Sequence, residues 1–247
     1  MKKEQLYIST IDDQAGALAS KYGLGLELAE YCTAWNMDEK FTETDKRIRQ
    51  ETVGISRLLL HAPFSELFPC AIDPKARVLA DQRYKQALLL ARDYGAKKII
   101  IHGGYNPGIY YPSWYIEQSI RFWTQFLDEL DVSIVLENVF EEEPEMLIEI
   151  VKTVNDPRLR LCLDIGHVNA YSKISVFDWL NLAAPYISHF HIHNNDGKKD
   201  THSCLCSGTI PMREFLAQAE HLCMDATFTI ETPDAESSVY WLLEEMV

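Results

Sequence analysis

The sequence predicts a single α/β domain over residues 1–247, folded as a closed (β/α)8 barrel. Three observations carry this. The chain is 247 residues long, short apolar runs alternate with amphipathic stretches along all of it, and several of those runs are apolar at consecutive positions. The length suits one such barrel. Runs such as Leu58-Leu59-Leu60, Ile99-Ile100-Ile101 and Ile134-Val135-Leu136 meet core on both side-chain directions, which marks strands of a parallel sheet covered by helices.

Taken in order, the predicted strands are Leu6–Thr10, Gly25–Tyr31, Arg57–Pro63, Lys98–Gly103, Ser133–Asn138, Arg160–Asp164, Ser188–Asn194 and Thr227–Glu231. Between them lies a helix over Ala76–Asp93, with Asp73 as N-cap, Pro74 in the first turn and Gly95 just past its end. Further helical patterns cover Pro112–Leu130, Glu143–Val154, Val176–Ala184, Pro211–Leu222 and Ala235–Val247. Strand and helix in regular alternation imply crossover connections. An open doubly wound sheet is the alternative, but no G-x-G-x-x-G follows the first strand to support it.

Composition narrows the function. The 37 acidic residues exceed the 23 basic ones, for a net charge of −14, which disfavours a nucleic-acid partner. The basic run Lys46-Arg47-Ile48-Arg49 reads as a solvated helix face. Met1 to Gln5 is polar and lacks a signal-peptide core, and no apolar stretch approaches the roughly 20 residues of a membrane span. The expectation is a cytoplasmic protein with no membrane partner. The six cysteines lack paired spacing and read as reduced thiols. Cys204-x-Cys206 is the one close pair: two thiols there would suit a soft metal, but reduced loop cysteines are the preferred reading.

The chemistry lies where the apolar runs stop. His61, His102, Glu137, Asp164 and Glu231 each end a run, and His193 comes late in His189-Phe190-His191-Ile192-His193. His167 follows Asp164 by one tight turn, and Asp200 and His202 are two residues apart. In a parallel barrel all strand ends point to one rim, so these residues converge. A lone histidine is ordinarily a hydrogen-bonded core or surface group, and a lone glutamate after a strand a helix-terminal charge. His189 and His191, alternating with Phe190 and Ile192, take that ordinary reading as satisfied residues of the barrel core. Recurrence at six strand ends is different, because so many partly buried ionisable groups on one rim leave unpaired charge. A divalent cation removes that cost by taking carboxylate oxygens and neutral imidazoles as ligands.

The motifs Leu60-His61-Ala62-Pro63, Ile101-His102-Gly103-Gly104, Leu136-Glu137-Asn138, Asp164-Ile165-Gly166-His167, Ile192-His193-Asn194-Asn195-Asp196-Gly197-Lys198, Asp200-Thr201-His202 with Gly208-Thr209-Ile210, and Ile230-Glu231-Thr232-Pro233 follow one another in this order. Together they resemble the xylose isomerase-like TIM-barrel superfamily, over nearly the whole chain. That superfamily holds sugar and sugar-phosphate isomerases and epimerases, and also endonuclease IV-type apurinic-site nucleases. The resemblance implies a metal held by Glu137, Asp164, His193 and Glu231, with Glu137 and Glu231 as the catalytic proton carriers. The nuclease branch adds ligands at positions matching His61, His102, His167, Asp200 and His202, all present here. The implied cofactor is one to three divalent ions per chain, Zn2+ or Mn2+, with Fe2+ as an alternative. Tyr105, Asn138 and Asn195, close to these motifs, are the substrate-binding candidates.

Departures from the family pattern also matter. Ser203-Cys204-Leu205-Cys206-Ser207 stands where a more apolar turn is expected, the basic residues with which the nuclease branch grips DNA are missing, and no catalytic lysine of the aldose isomerase type is evident. Three functions follow. The first is a metal-dependent isomerase or epimerase whose partner is a small sugar or sugar phosphate. Aromatic residues of the loops after the third and fourth strands (Phe64, Phe68, Tyr105, Tyr110, Tyr111, Trp114) are positioned either to stack on the sugar or to pack helices. The alternative is an endonuclease IV-like multinuclear phosphoester hydrolase. The third is a barrel that binds metal and ligand without turnover, as a sensor or scaffold.

Overall fold

Eight strands form where the apolar runs place them: β1 Leu6–Ser9, β2 Gly25–Leu28, β3 Leu58–His61, β4 Lys98–His102, β5 Ser133–Glu137, β6 Leu159–Asp164, β7 Ile187–Ile192 and β8 Thr227–Ile230. The computed structural model describes residues 1–127 and 132–245. All neighbouring strands run parallel, and β8 pairs with β1, so the sheet closes into a barrel in sequence order.

The predicted helices are present as α4 Pro74–Tyr94, α5 Pro112–Phe126, α6 Glu145–Val154, α8 Val176–Ala183, α9 Met212–Leu222 and α10 Ala235–Glu245. Residues 128–130 and 246–247 of the predicted helices lie outside the described residues. At α4 the capping is as the sequence implies: the Asp73 side chain accepts from the Lys75 amide at 2.8 Å, and Gly95 closes the helix at φ 69°. Four further helices carry weak sequence patterns: α1 Ala15–Tyr22, α2 Ala34–Met37, α3 Phe41–Glu51 and α7 Ile165–Tyr171. The basic run lies on α3, solvated except for Ile48, which is fully buried. α7 starts directly at the end of β6, where the Asp164 side chain caps it by accepting from the His167 amide at 2.6 Å. Among the described residues, no helix is long and apolar enough to cross a membrane.

The core has two parts. The larger fills the space between strands and helices, around residues such as Ile8, Leu26, Leu60, Ile101, Leu136, Phe190 and Phe228. A smaller cluster, Tyr7, Leu59, Ile100, Val135 and Cys162, comes from the alternate positions of β1 and β3 to β6 and fills the barrel interior. On β2, β7 and β8 the alternate positions on the lumen side are polar instead: Glu27, His189, His191 and Thr229, all fully buried. This polar side of the lumen continues upward into the mouth.

Candidate metal centre at the barrel mouth

Seven of the eight histidines gather at or under the C-terminal ends of the strands; His221, on α9, is the exception. Three of the seven are anchored through Nδ1 to a backbone carbonyl at 2.9 Å: His61 on Ala62, His167 on Asn138 and His202 on Glu231. A carbonyl only accepts, so Nδ1 carries a proton, which leaves Nε2 as the nitrogen a metal would take. Each Nε2 faces carboxylate. His61 Nε2 lies 3.2 Å from Glu137, and His167 and His202 Nε2 lie 3.3 and 2.9 Å from Asp200. His202 reaches this position with φ 45°, a region L residues rarely occupy, and the bonds at both ring nitrogens hold it there.

Potential ligand atoms within 4.8 Å of one another form overlapping groups. One is His61, His102 and Glu137; a second is Glu137, Asp164, His191 and Glu231; a third is His167, Asp200 and His202. Glu137 joins the first two: Oε2 lies 3.2 Å from His61 and 3.6 Å from His102, while Oε1 lies 3.4 Å from both His167 and His191.

The structure adds one candidate ligand, His191, beside the expected His193. The central group holds His191 where the sequence reading has His193. β7 ends at Ile192, and His191 stands in register with Asp164 across the sheet, so its Nδ1 faces Glu231 at 3.2 Å, Glu137 at 3.4 Å and Asp164 at 3.7 Å. His193 lies past the strand. Its Nε2 meets Asp164 at 3.1 Å and its ring stacks on His202 at 4.0 Å, so it steadies two other members, and it also groups with His202 and Glu231. His193 fits there only because residue 166 is glycine, since a Cβ at that position would overlap its ring. His189 keeps the ordinary role, hydrogen-bonded to Thr227, Thr229 and Glu27. Glu27 is the residue the strand-end pattern misses. It sits inside β2, fully buried, and its signal in the sequence is a charge within the apolar run Leu26-Glu27-Leu28.

Burial works against every charge here, and the neighbours decide the outcome. Burial would raise Glu137, but His191 and His102 hold it well below the usual carboxylate range. Asp164 is likewise held low, by His167 and His193, and Glu231 by His191. Asp200 is lowered against its burial by hydrogen bonds with His167 and His202. Burial would lower His167 and His202, but Asp164 and Asp200 raise the first to about 10, and Asp200 and Glu231 raise the second to about 9. His102, with burial dominant, falls to about 4.

Above the ligand groups opens a cavity of about 540 Å³. Ile11, Phe64, Val139, Phe140, Tyr171 and Pro233 form its apolar wall, and His61, His102, Glu137, His167, Asp200, His202 and Glu231 its polar floor. Tyr105, Asn138 and Asn195, the expected substrate contacts, are not on this lining. Tyr105 packs on Tyr115 with ring centroids 5.0 Å apart. Asn138 pairs with the Asp164 backbone through two bonds of 2.9 Å, and Asn195 donates to the Gly166 carbonyl at 2.8 Å. The Asn138 amide ties the ends of β5 and β6 together, and the Asn195 amide ties the chain after β7 to α7. Of the loop aromatics, Phe64 reaches the cavity, stacked on His102 at 4.2 Å, whereas Phe68 packs on Tyr110 and Trp114 donates to the Cys70 carbonyl. All six cysteines are free; Cys204 and Cys206 touch each other on the loop after His202 and do not line the cavity.

The donor set fits a divalent cation. Glu137 Oε1, Glu231 Oε2 and His191 Nδ1 are buried, face one another and make no hydrogen bond. Buried polar atoms are nearly always satisfied, and a cation among these three would satisfy them together.

The comparisons with known proteins agree with this geometry. The model of the xylose isomerase-like TIM barrel family matches residues 17–246. The uncharacterized protein MJ1311 of Methanocaldococcus jannaschii is 27% identical over 194 residues, which is 74% of this chain and 66% of that protein. The chain thus spans just under two thirds of that relative's length. Among solved structures, a D-tagatose 3-epimerase-like protein superimposes with a TM-score of 0.76 at 23% identity, covering 98% of this chain and 97% of its own. The TTHB071 protein from Thermus thermophilus, soaked with ZnCl2, reaches 0.79 at 24% identity, covering 99% and 98%. At these identities the structural likeness is one of fold.

Proposed function

The chain belongs to the xylose isomerase-like TIM-barrel family, and on that premise we propose that it is a metal-dependent isomerase or epimerase acting on a small sugar. One observation carries the reading: Glu137 Oε1 and Glu231 Oε2, neither of them hydrogen-bonded, both face His191 Nδ1 on the floor of a cavity of about 540 Å³. Glu137, Asp164, His191 and Glu231 would hold the ion, with Zn2+ or Mn2+ suited to mixed oxygen and nitrogen donors. When bound, such an ion polarises a carbonyl and lowers the cost of removing a proton from the neighbouring carbon.

The remaining work belongs to the chain. Glu137 and Glu231 are held ionised at neutral pH despite burial, so each is ready to accept a proton from that carbon. His193 orients Asp164, and the Asn138 amide holds the Asp164 backbone against β5. Phe64, Phe140 and Tyr171 exclude water and offer flat faces to a sugar ring. The lining offers a phosphate neither lysine nor arginine, which favours an unphosphorylated sugar. The epimerase-like neighbour supports the same substrate class. The test is solvent-deuterium exchange into a panel of ketoses by the zinc- or manganese-loaded protein. Exchange at the carbon next to the carbonyl, lost in E231Q, is expected; a panel with no exchange sinks the reading.

The His61–His102–Glu137 and His167–Asp200–His202 groups favour a second reading, a multinuclear phosphoester hydrolase in which clustered ions clamp phosphate oxygens. The net charge of −14 opposes a DNA substrate for it. Elemental analysis that finds three ions per chain, with incision of an abasic-site duplex, would select the hydrolase over the isomerase.

A further inference from the structure

The Cys204-x-Cys206 pair has no part in the cavity lining and lies on the loop between His202 and α9. That loop is pinned on both sides of Cys204. Ser203 bridges to Asn194 through backbone bonds of 2.8 and 3.0 Å. Leu205 is buried, its amide donating to Ser238 Oγ and its carbonyl accepting from Asn194 Nδ2, both at 3.2 Å. The Ser207 amide then donates to the Cys204 carbonyl at 2.8 Å, which closes a tight turn over residues 204–207.

The turn buries Leu205 between two cysteines whose sulfurs meet 2.7 Å apart. Three separations decide what such a pair suits. Unbonded heavy atoms rest about 3.5–4 Å apart. Two thiolates sharing one tetrahedral zinc, with Zn–S of about 2.3 Å, lie about 3.8 Å apart. A disulfide brings two sulfurs to about 2.05 Å. The sulfurs here are closer than either of the first two arrangements allows, and a further ~0.7 Å brings them to bonding distance.

We propose that Cys204 and Cys206 are a thiol–disulfide couple whose reactant is a small disulfide of the oxidised-glutathione class. Cys206 is the one exposed cysteine of the chain, and Cys204 is half-buried beside it. The Cys206 sulfur therefore meets the small disulfide first, displaces one thiol and forms a mixed disulfide. The Cys204 sulfur then attacks Cys206 and displaces the second thiol. Both thiol protons end on the displaced thiols, the small disulfide is reduced by two electrons, and one protein S–S bond forms. An exposed disulfide is readily reduced, so a reducing compartment keeps the pair as thiols and an oxidising load closes it. Of the other cysteines, Cys70, Cys162 and Cys223 are buried and Cys32 lines the cavity, so they serve as internal controls.

The test is incubation of the native full chain with oxidised glutathione, followed by alkylation, digestion and mass spectrometry. The expected product has lost two hydrogens, carries one bond between Cys204 and Cys206, and returns to the dithiol with dithiothreitol. C204S should instead stop at a mixed disulfide of glutathione with Cys206, because the second attacking sulfur is gone. Two free thiols after the oxidant, glutathione retained on either cysteine of the wild type, or a bond to any of the other four cysteines overturns the couple. A C204S protein that takes no glutathione overturns Cys206 as the attacking thiol. Cobalt(II) loading that gives a thiolate-to-metal charge-transfer band, lost in C206S, would overturn the couple in favour of a soft-metal site. If either variant does not fold, the cross-link map of the wild type decides alone.

Discussion

Gly166→Ala adds one methyl group to the first turn of α7, and the structure makes its cost calculable. The new Cβ would overlap Cε1 and Nδ1 of His193 and lie 2.5 Å from Nε2. Carbon and nitrogen atoms in contact sit about 3.5–4 Å apart, so the ring must move by roughly 1–2 Å. His193 has no room: it is fully buried, bonded to Asp164 at 3.1 Å and stacked on His202 at 4.0 Å. Overpacking costs ~1–3 kcal/mol. Losing a hydrogen bond to a charged group adds about 1.5–3 kcal/mol. The gain in helix propensity offsets at most ~1 kcal/mol. A net loss of about 3 kcal/mol lowers the melting temperature of a chain this size by roughly 6–12 °C. The displaced ring also pushes His202 away from Asp200, so zinc in the His167–Asp200–His202 group should bind about 10–100-fold more weakly. Calorimetric melting and zinc titration measure the two effects. A variant that melts with the wild type and binds the same zinc would refute the packing argument and the role given to His193.

Two further outcomes follow from the electrostatics. In the metal-free protein His167 and His202 are raised from 6.5 to about 10 and about 9, so the stability they contribute is full below pH 6.5 and lost as pH rises through 9 to 10. Zinc binding expels those protons, so titrations at pH 7 to 8 in buffers of different ionisation enthalpy should show net proton release; no buffer dependence would contradict the assignment. Glu141, buried beside Tyr115, is raised from 4.5 to about 7, chiefly by burial. A raised carboxyl favours the folded state while protonated, so this contribution is present below pH 4.5 and falls by about 3 kcal/mol as pH rises through 7. E141Q should remove that slope from the melting curve, and an unchanged slope would place its origin elsewhere.

The barrel was legible in the sequence because its signal is local. A strand covered on both faces must be apolar at consecutive positions, and Leu58-Leu59-Leu60 or Ile99-Ile100-Ile101 satisfy this without reference to any partner. The helix at Pro74–Tyr94 was equally legible, since Asp73, Pro74 and Gly95 are capping signals carried by the residues themselves. Helices α1 and α7 were not, because both are short, and α7 begins at a residue that also ends a strand. The strand-end rule likewise found His61, His102, Glu137, Asp164 and Glu231, because in a parallel barrel the end of every strand is the same rim.

What only the tertiary structure decided was depth. His189, His191 and His193 alternate along one run, and the sequence does not say which of the three stands level with Asp164. Register across the sheet chooses His191, since the tilt of the strands sets which residues of β6 and β7 are neighbours. The same applies to Glu27, whose partners His189, His191 and Thr229 come from strands more than 150 residues away. The sequence by itself determined that this chain builds a barrel with acidic and imidazole groups at one mouth. Which nitrogen faces which oxygen followed only from closing the sheet, because closure brings β2 and β7 to opposite sides of one narrow lumen.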